Sequence, residues 1–190
     1  PISDYLTSVR DGAFYGWPWY YIGANEDPRR RGERPDLKDK ITVPDVLIQA
    51  HSASLEMAFY TATQFPKEYR GSLFVAEHGS WNRSKLTGYK VVRIRLKDGV
   101  PTGEYEDFLT GFVVNDSEVW GRPVGVAVAK DGALLVSEDA NGTIWRISNV
   151  KNVLPRPLRS VARSVRGRRA SERRRAASGY MPSPAPVATK

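Results

Sequence analysis

GSLFVAEH (residues 71–78) and GALLVSED (residues 132–139) are two copies of one pattern, set 61 residues apart. Each opens on glycine, runs through apolar residues and ends on a pair of polar groups. Each is followed by a second β-rich run, GYKVVRI (88–94) and GTIWRI (142–147). A repeated strand–turn–strand unit of this kind points to blades of a β-propeller rather than to a sandwich. The neighbouring runs complete the units. LEMAFY (55–60), SLFVAEH, YKVVRIRL (89–96) and EDFLTGF (106–112) make one four-stranded blade. VGVAVA (124–129), ALLVSED and TIWRIS (143–148) make a second, one strand short. Turn signals at Lys97-Asp98-Gly99 and Ala140-Asn141-Gly142 separate the strands.

The copies differ in the turn that comes after the acid. In the second, the chain turns through Ala140-Asn141-Gly142. In the first, the same turn is expanded to HGSWNRSKLTG (78–88). The extra length is not needed to reverse the chain, and loops that exceed structural need on a rigid scaffold are where function concentrates. An imidazole, an indole, an amide and a guanidinium (His78, Trp81, Asn82, Arg83) within six residues suit a polar, planar ligand.

On either side of these units the sequence changes character. Residues 1–50 are rich in Pro, Gly, Asn, Asp and aromatic residues, and read as long loops with a few short strands. The run Arg29-Arg30-Arg31 lies among Glu26, Asp27, Glu33 and Asp36 and reads as a solvated, self-neutralising loop. Residues 151–190 hold eleven Lys or Arg and one acid. This segment alone carries +10, against a net +8 for the whole chain, and leaves −2 for residues 1–150. With its Pro, Ala and Ser content this tail reads as disordered. Two regions result, 1–150 as propeller and 151–190 as basic tail. Any nucleic-acid partner would have to act through the tail. The absence of cysteine excludes disulfides, thiolate metal sites and c-type haem attachment. No apolar run approaches the ~20 residues of a membrane span.

Several stretches together resemble the pyrroloquinoline quinone (PQQ)-dependent sugar dehydrogenases of the glucose/sorbosone dehydrogenase type. They are DYLTSVRDGAFYGWP (4–18), AHSASLEMAFY (50–60), YRGSLFVAEHGSWNRSKLTGYKVV (69–92), EDFLTGF (106–112) and GRPVGVAVAKDGALLVSEDANGTIWRIS (121–148). The sorbosone dehydrogenase branch is the nearest in pattern. The resemblance implies an all-β fold, a partial propeller of about two blades plus long loops from a six-bladed ring, and a chain that is the C-terminal third to half of such a protein. It implies oxidation of the C1 of an aldose or sugar aldehyde, with hydride transfer to PQQ and with Ca2+ as a second cofactor. It also implies a periplasmic or secreted parent, and a quinone or cytochrome as electron acceptor. The family's general-base histidine and main calcium ligands would lie upstream, so neither His51 nor His78 is assigned that role. The family's G-R-x-R-D motif reads Gly121-Arg122-Pro123-Val124-Gly125 here. Arg122 matches a cofactor-binding cation, while the second Arg and the Asp are replaced. His78, Trp81, Asn82 and Arg83 of the long hairpin are then the candidates to complete the cofactor site. Tyr15 is a candidate calcium neighbour, and Trp17-Pro18 is expected to pack structurally. Two other readings stay open: a propeller of the same lineage that serves as a binding module without cofactor, and an interaction protein that works through its basic tail.

Overall fold

The structure is a computed structural model and describes residues 2–149. The expected disorder of 151–190 lies outside the described residues. The first fifty residues hold four short strands, β1 (Asp4–Leu6), β2 (Tyr20–Tyr21), β3 (Asn25–Glu26) and β4 (Val46–Ile48). β1 pairs antiparallel with β4, and β2 with β3. The prolines at 28 and 35 each open a 3-10 turn, a position where the missing N–H is not needed. Two of the three arginines in the run pair locally: Arg29 with Asp27 (2.6 Å) and Arg30 with Glu33 (3.2 Å).

The first repeat unit is a four-stranded antiparallel meander, β5 (Ser54–Phe59), β6 (Leu73–Glu77), β7 (Lys90–Lys97) and β8 (Val100–Leu109), paired in that order. β8 starts at Val100, directly after the Lys97-Asp98-Gly99 turn, and is longer than EDFLTGF suggests. The positive φ of Asp98 and Gly99 lets the chain reverse at once. A small hairpin that the sequence did not announce comes next, β9 (Val113–Asn115) and β10 (Glu118–Val119). The second unit is the three-stranded antiparallel sheet β11 (Pro123–Val128), β12 (Leu134–Glu138) and β13 (Thr143–Ile147).

Strand alternation distributes the core. On β6, Phe74 and Ala76 join Tyr60, Phe65, Val91, Val126, Leu134 and Val136 in a cluster shared with the second unit. Leu73 and Val75 point the other way and join Val46, Val92 and Ile94 against β1 and β4. Sheet therefore covers both faces of β6, and all five of its residues are buried. Aromatic rings fill the shared cluster: Phe74 meets Phe108 edge-on with centroids 4.5 Å apart, and Tyr60 stacks on Phe65 at 4.8 Å. Burying one such ring contributes roughly 2–3 kcal/mol. The Tyr60 hydroxyl donates to Gly132 O (2.7 Å) and so ties the two units together. Among the described residues no helix is long and apolar enough to cross a membrane.

Candidate functional site

The alternation that builds the core also sorts the two polar residues at the end of β6. Glu77 continues the Leu73–Val75 side, and His78 continues the Phe74–Ala76 side toward the second unit. There His78 Nε2 lies 3.1 and 3.2 Å from the two carboxylate oxygens of Asp139. A carboxylate at neutral pH only accepts, so Nε2 carries the proton and Nδ1 is left for another partner. Arg122, just before β11, brings its Nε to 2.8 Å from Asp139 Oδ1. That contact is an ion pair without hydrogen-bond alignment, because the Nε–H is buried and makes no hydrogen bond among the described residues. Two sheets thus bring His78 and Arg122 to one carboxylate on one rim. Burial alone would raise the Asp139 carboxyl. The His78 and Arg122 groups beside it outweigh that and hold it below its ordinary value.

Glu138 fixes this corner from beneath. It is 3% exposed, and its carboxylate accepts from four backbone N–H groups: Ala140 (2.9 Å), Asn141 (3.1 Å), Thr143 (3.2 Å) and Arg122 (3.4 Å). Burial pushes this carboxyl up, but the N–H groups of Asn141, Arg122 and Thr143 outweigh it and leave the carboxyl below its usual range. Its repeat partner Glu77 is 0% exposed and has one hydrogen bond, from Ser54 Oγ (2.9 Å). Glu77 Oε2 and Ser52 Oγ are buried without a partner among the described residues. Burial, helped by the charge of Asp4, drives Glu77 up to about 7, against the opposing pull of Ser54, Lys90 and Ser52.

The rest of the long hairpin divides into a pinned base and an open tip. At the base His78 N donates to Ala53 O (3.0 Å), Gly79 N to Ser52 O (2.8 Å) and Ser80 N to Thr87 O (2.9 Å). Gly88 has φ +75°, and a Cβ there would sit 2.7 Å from Gly79 Cα and from Ser52 O, so only glycine fits. At the tip Trp81 is 91% exposed and Asn82 is exposed. Arg83 donates from Nη1 to Ala50 O (3.1 Å), away from Asp139. Of the five residues proposed from sequence for cofactor binding, the structure brings two, His78 and Arg122, to a shared partner. It leaves Trp81 and Asn82 on the same hairpin in solvent and turns Arg83 to another carbonyl.

Other expectations fare unevenly. The Tyr15 hydroxyl donates to Ser8 O (2.8 Å) and accepts from Arg10 N (3.2 Å), so it organises its own loop. Trp17, expected to pack, is instead 77% exposed, because it sits in a turn at the surface. Among the described residues no three His, Asp or Glu side chains converge as a metal site would require. Three groups escaped sequence reading. Asp139 was visible only as the end of a strand. Glu138 carried a signal, an acid in phase with the buried Leu134 and Val136. Glu56 of β5 carried none: a Cβ on Gly125 would collide with its carboxylate and lie 2.8 Å from Ser137 Oγ. The neighbouring sheet's carboxylate thus occupies the space beside Gly125, where the resembled motif has its aspartate.

Comparison with known proteins adds to this geometry. A family model described as TrAA12-like matches residues 28–150. An uncharacterized protein of Borreliella burgdorferi is 36% identical over 134 residues, which cover 70% of this chain and 35% of that protein. The pyrroloquinoline quinone-dependent pyranose dehydrogenase of Coprinopsis cinerea is 31% identical over 132 residues, 60% of this chain and 17% of that enzyme. The solved holo form of the PQQ domain of the Coprinopsis cinerea pyranose dehydrogenase superposes with a TM-score of 0.55 at 26% identity, covering 72% of this chain and 40% of that one. The chain therefore spans about a third of the first relative and about a sixth of the second.

Proposed function

The chain belongs to the TrAA12-like family, and from that membership and the His78–Asp139–Arg122 cluster we propose that it is part of a PQQ-dependent sugar dehydrogenase. The proposed reaction is oxidation of the C1 of an aldose or sugar aldehyde, of the glucose or sorbosone type, in a periplasmic or secreted protein with a quinone or cytochrome as acceptor. What supports the reading is the convergence of His78 and Arg122, from two different sheets, on one rim.

The residues fit the cofactor. PQQ is planar and carries three carboxylates, which call for a guanidinium and flat apolar surfaces. The Arg122 side chain is 42% exposed, with its buried Nε turned to Asp139. Trp81 offers an open indole face, and Asn82 is exposed beside it on the hairpin. When bound, the quinone accepts the hydride and so supplies the redox chemistry. The tasks of this chain are binding and orientation. Asp139 holds Arg122 and His78 in register and offsets the charge of Arg122. Glu138 fixes the backbone N–H of Arg122 and of the turn after Asp139. His78 presents Nδ1 as a hydrogen-bond group at the rim. Neither His51 nor His78 is assigned the proton abstraction, and no step is routed through calcium, for which the described residues offer no acidic cluster.

Titration of the complete apo-protein with PQQ tests the reading. Arg122→Ala should weaken binding about tenfold or more, since it removes a charge-assisted contact from a partly desolvated site. Arg29→Ala, in a loop where Arg29 pairs with Asp27, should leave binding unchanged. Equal affinities for the two variants would refute it.

A further inference from the structure

Beside the long hairpin, and separate from the His78–Asp139–Arg122 cluster, lies a cleft of about 400 Å3. Its walls include Arg83 and Lys85 of the hairpin tip, Lys90 at the start of β7, Asp107 and Thr110 at the end of β8, and Gln49 after β4. The volume is that of a small-molecule site, at the lower end of the usual ~300–1,000 Å3.

The charges in this cleft do not cancel. Lys90 Nζ is held by Asp107 Oδ1 at 2.6 Å, so that pair is neutral. Arg83 and Lys85 have no carboxylate within ion-pair distance among the described residues. One of the five guanidinium N–H donors of Arg83 is spent on Ala50 O (3.1 Å), which orients the group and leaves the others. The hairpin base that carries both cations is pinned. Thr87 N donates to Ser80 Oγ (3.0 Å), Ser80 N to Thr87 O (2.9 Å), and the Tyr89 hydroxyl to Ser80 O. Arg83, oriented by Ala50 O, and Lys85 give the cleft two unpaired cations that an anion can bridge. The remaining wall carries further hydrogen-bonding groups. The Gln49 amide, the Thr110 hydroxyl and the second oxygen of Asp107 offer donors and acceptors of the kind that sugar hydroxyls take.

We propose that this cleft binds a small polyhydroxylated carboxylate, the size of a six-carbon sugar acid. Its carboxylate sits on Arg83 and Lys85, and its hydroxyls on Gln49, Thr110 and Asp107. The proposal stands apart from the quinone reading, because neither His78 nor Arg122 lines the cleft.

Calorimetric titration of the purified protein with sodium gluconate, glucose and inorganic phosphate at low salt is the test. Gluconate should bind, phosphate should bind at least about threefold more weakly, glucose should give no heat, and added salt should weaken gluconate. Arg83→Gln and Lys85→Gln should each weaken gluconate about tenfold. Both side chains are exposed, so circular dichroism should be unchanged. Arg83→Lys, which keeps the charge, should retain most of the affinity, and Arg122→Gln all of it. The proposal is overturned by absence of gluconate binding, by glucose or phosphate binding as tightly, by gluconate affinity that survives both glutamine substitutions, or by its loss in Arg122→Gln alone.

Discussion

Glu77 and Glu138 occupy the same place in the two repeat units, and their surroundings are opposite. After Glu138 the chain turns at once through Ala140-Asn141-Gly142, and the N–H groups of that turn fold back onto the carboxylate. After Glu77 the chain leaves in a long hairpin, and the carboxyl keeps one hydroxyl donor, Ser54. One sequence pattern thus yields a stabilised buried anion in one unit and a carboxyl raised to about 7 in the other. A short turn is also a set of donors, and a long hairpin in its place leaves the acid beneath without those partners. The residues just after each acid are brought together even so, as His78 and Asp139 meet across the two units.

The largest effect should come from the satisfied acid. Glu138→Ala would take the shared acceptor from the backbone N–H groups of Arg122, Ala140, Asn141 and Thr143. Loss of charge-assisted bonds of this kind should cost about 3 kcal/mol or more. Urea unfolding measures it, and a loss below about 1 kcal/mol would mean that the cradle carries little weight.

Glu77 should behave in the opposite sense. Its folded pKa, about 7, lies above its ordinary 4.5, so between those values the native state holds a proton that the unfolded chain has released. Stability contributed by this group is full below pH 4.5, falls as pH rises through 7, and then levels off. The whole change is roughly 3 kcal/mol. The neighbours that set it are Asp4, Ser52, Ser54 and Lys90. Glu77→Gln mimics the neutral acid and should flatten this slope, with a stability gain at pH 8. Unfolding curves of both proteins at pH 5 and pH 8 decide it, and an identical pH dependence counts against a buried neutral acid.

The glycines sharpen the same contrast on a smaller scale. Gly88 and Gly142 both have positive φ, at +75° and +65°. A Cβ on Gly88 meets backbone at 2.7 Å, whereas one on Gly142 meets nothing within 4 Å. Gly88→Ala should therefore cost about 2–3 kcal/mol and Gly142→Ala about 1 kcal/mol. Equal melting temperatures would show that the hairpin base is not close-packed.

Much of the fold was legible because the repeat has period-2 alternation and each strand is bounded by turn signals. The strands of both units fall where LEMAFY, SLFVAEH, YKVVRIRL, VGVAVA, ALLVSED and TIWRIS place them. β9 and β10 were not legible, since Val-Val-Asn-Asp-Ser-Glu-Val is too short to show a period. Pairings between distant residues leave no local trace either. Nothing in the sequence near Arg122 reports that Asp139 will meet both it and His78, or that Glu56 fills the space at Gly125. The burial of Glu77 was legible in principle, because it is in phase with Leu73 and Val75 on a strand covered on both faces. An acid in that register is a buried acid, and only its partners remain to be found.

A loop exchange tests most directly whether the hairpin serves binding rather than folding. Residues 79–88 of the complete protein are replaced by Ala-Asn-Gly, the turn of the second unit, and PQQ affinity is measured by equilibrium titration beside a urea melt. The exchanged protein should remain folded, because Glu77 gains the N–H cradle that Glu138 has, and its PQQ affinity should fall at least about tenfold through loss of Trp81, Asn82 and the bracing of His78. Undiminished PQQ affinity in a folded exchange variant would contradict the account.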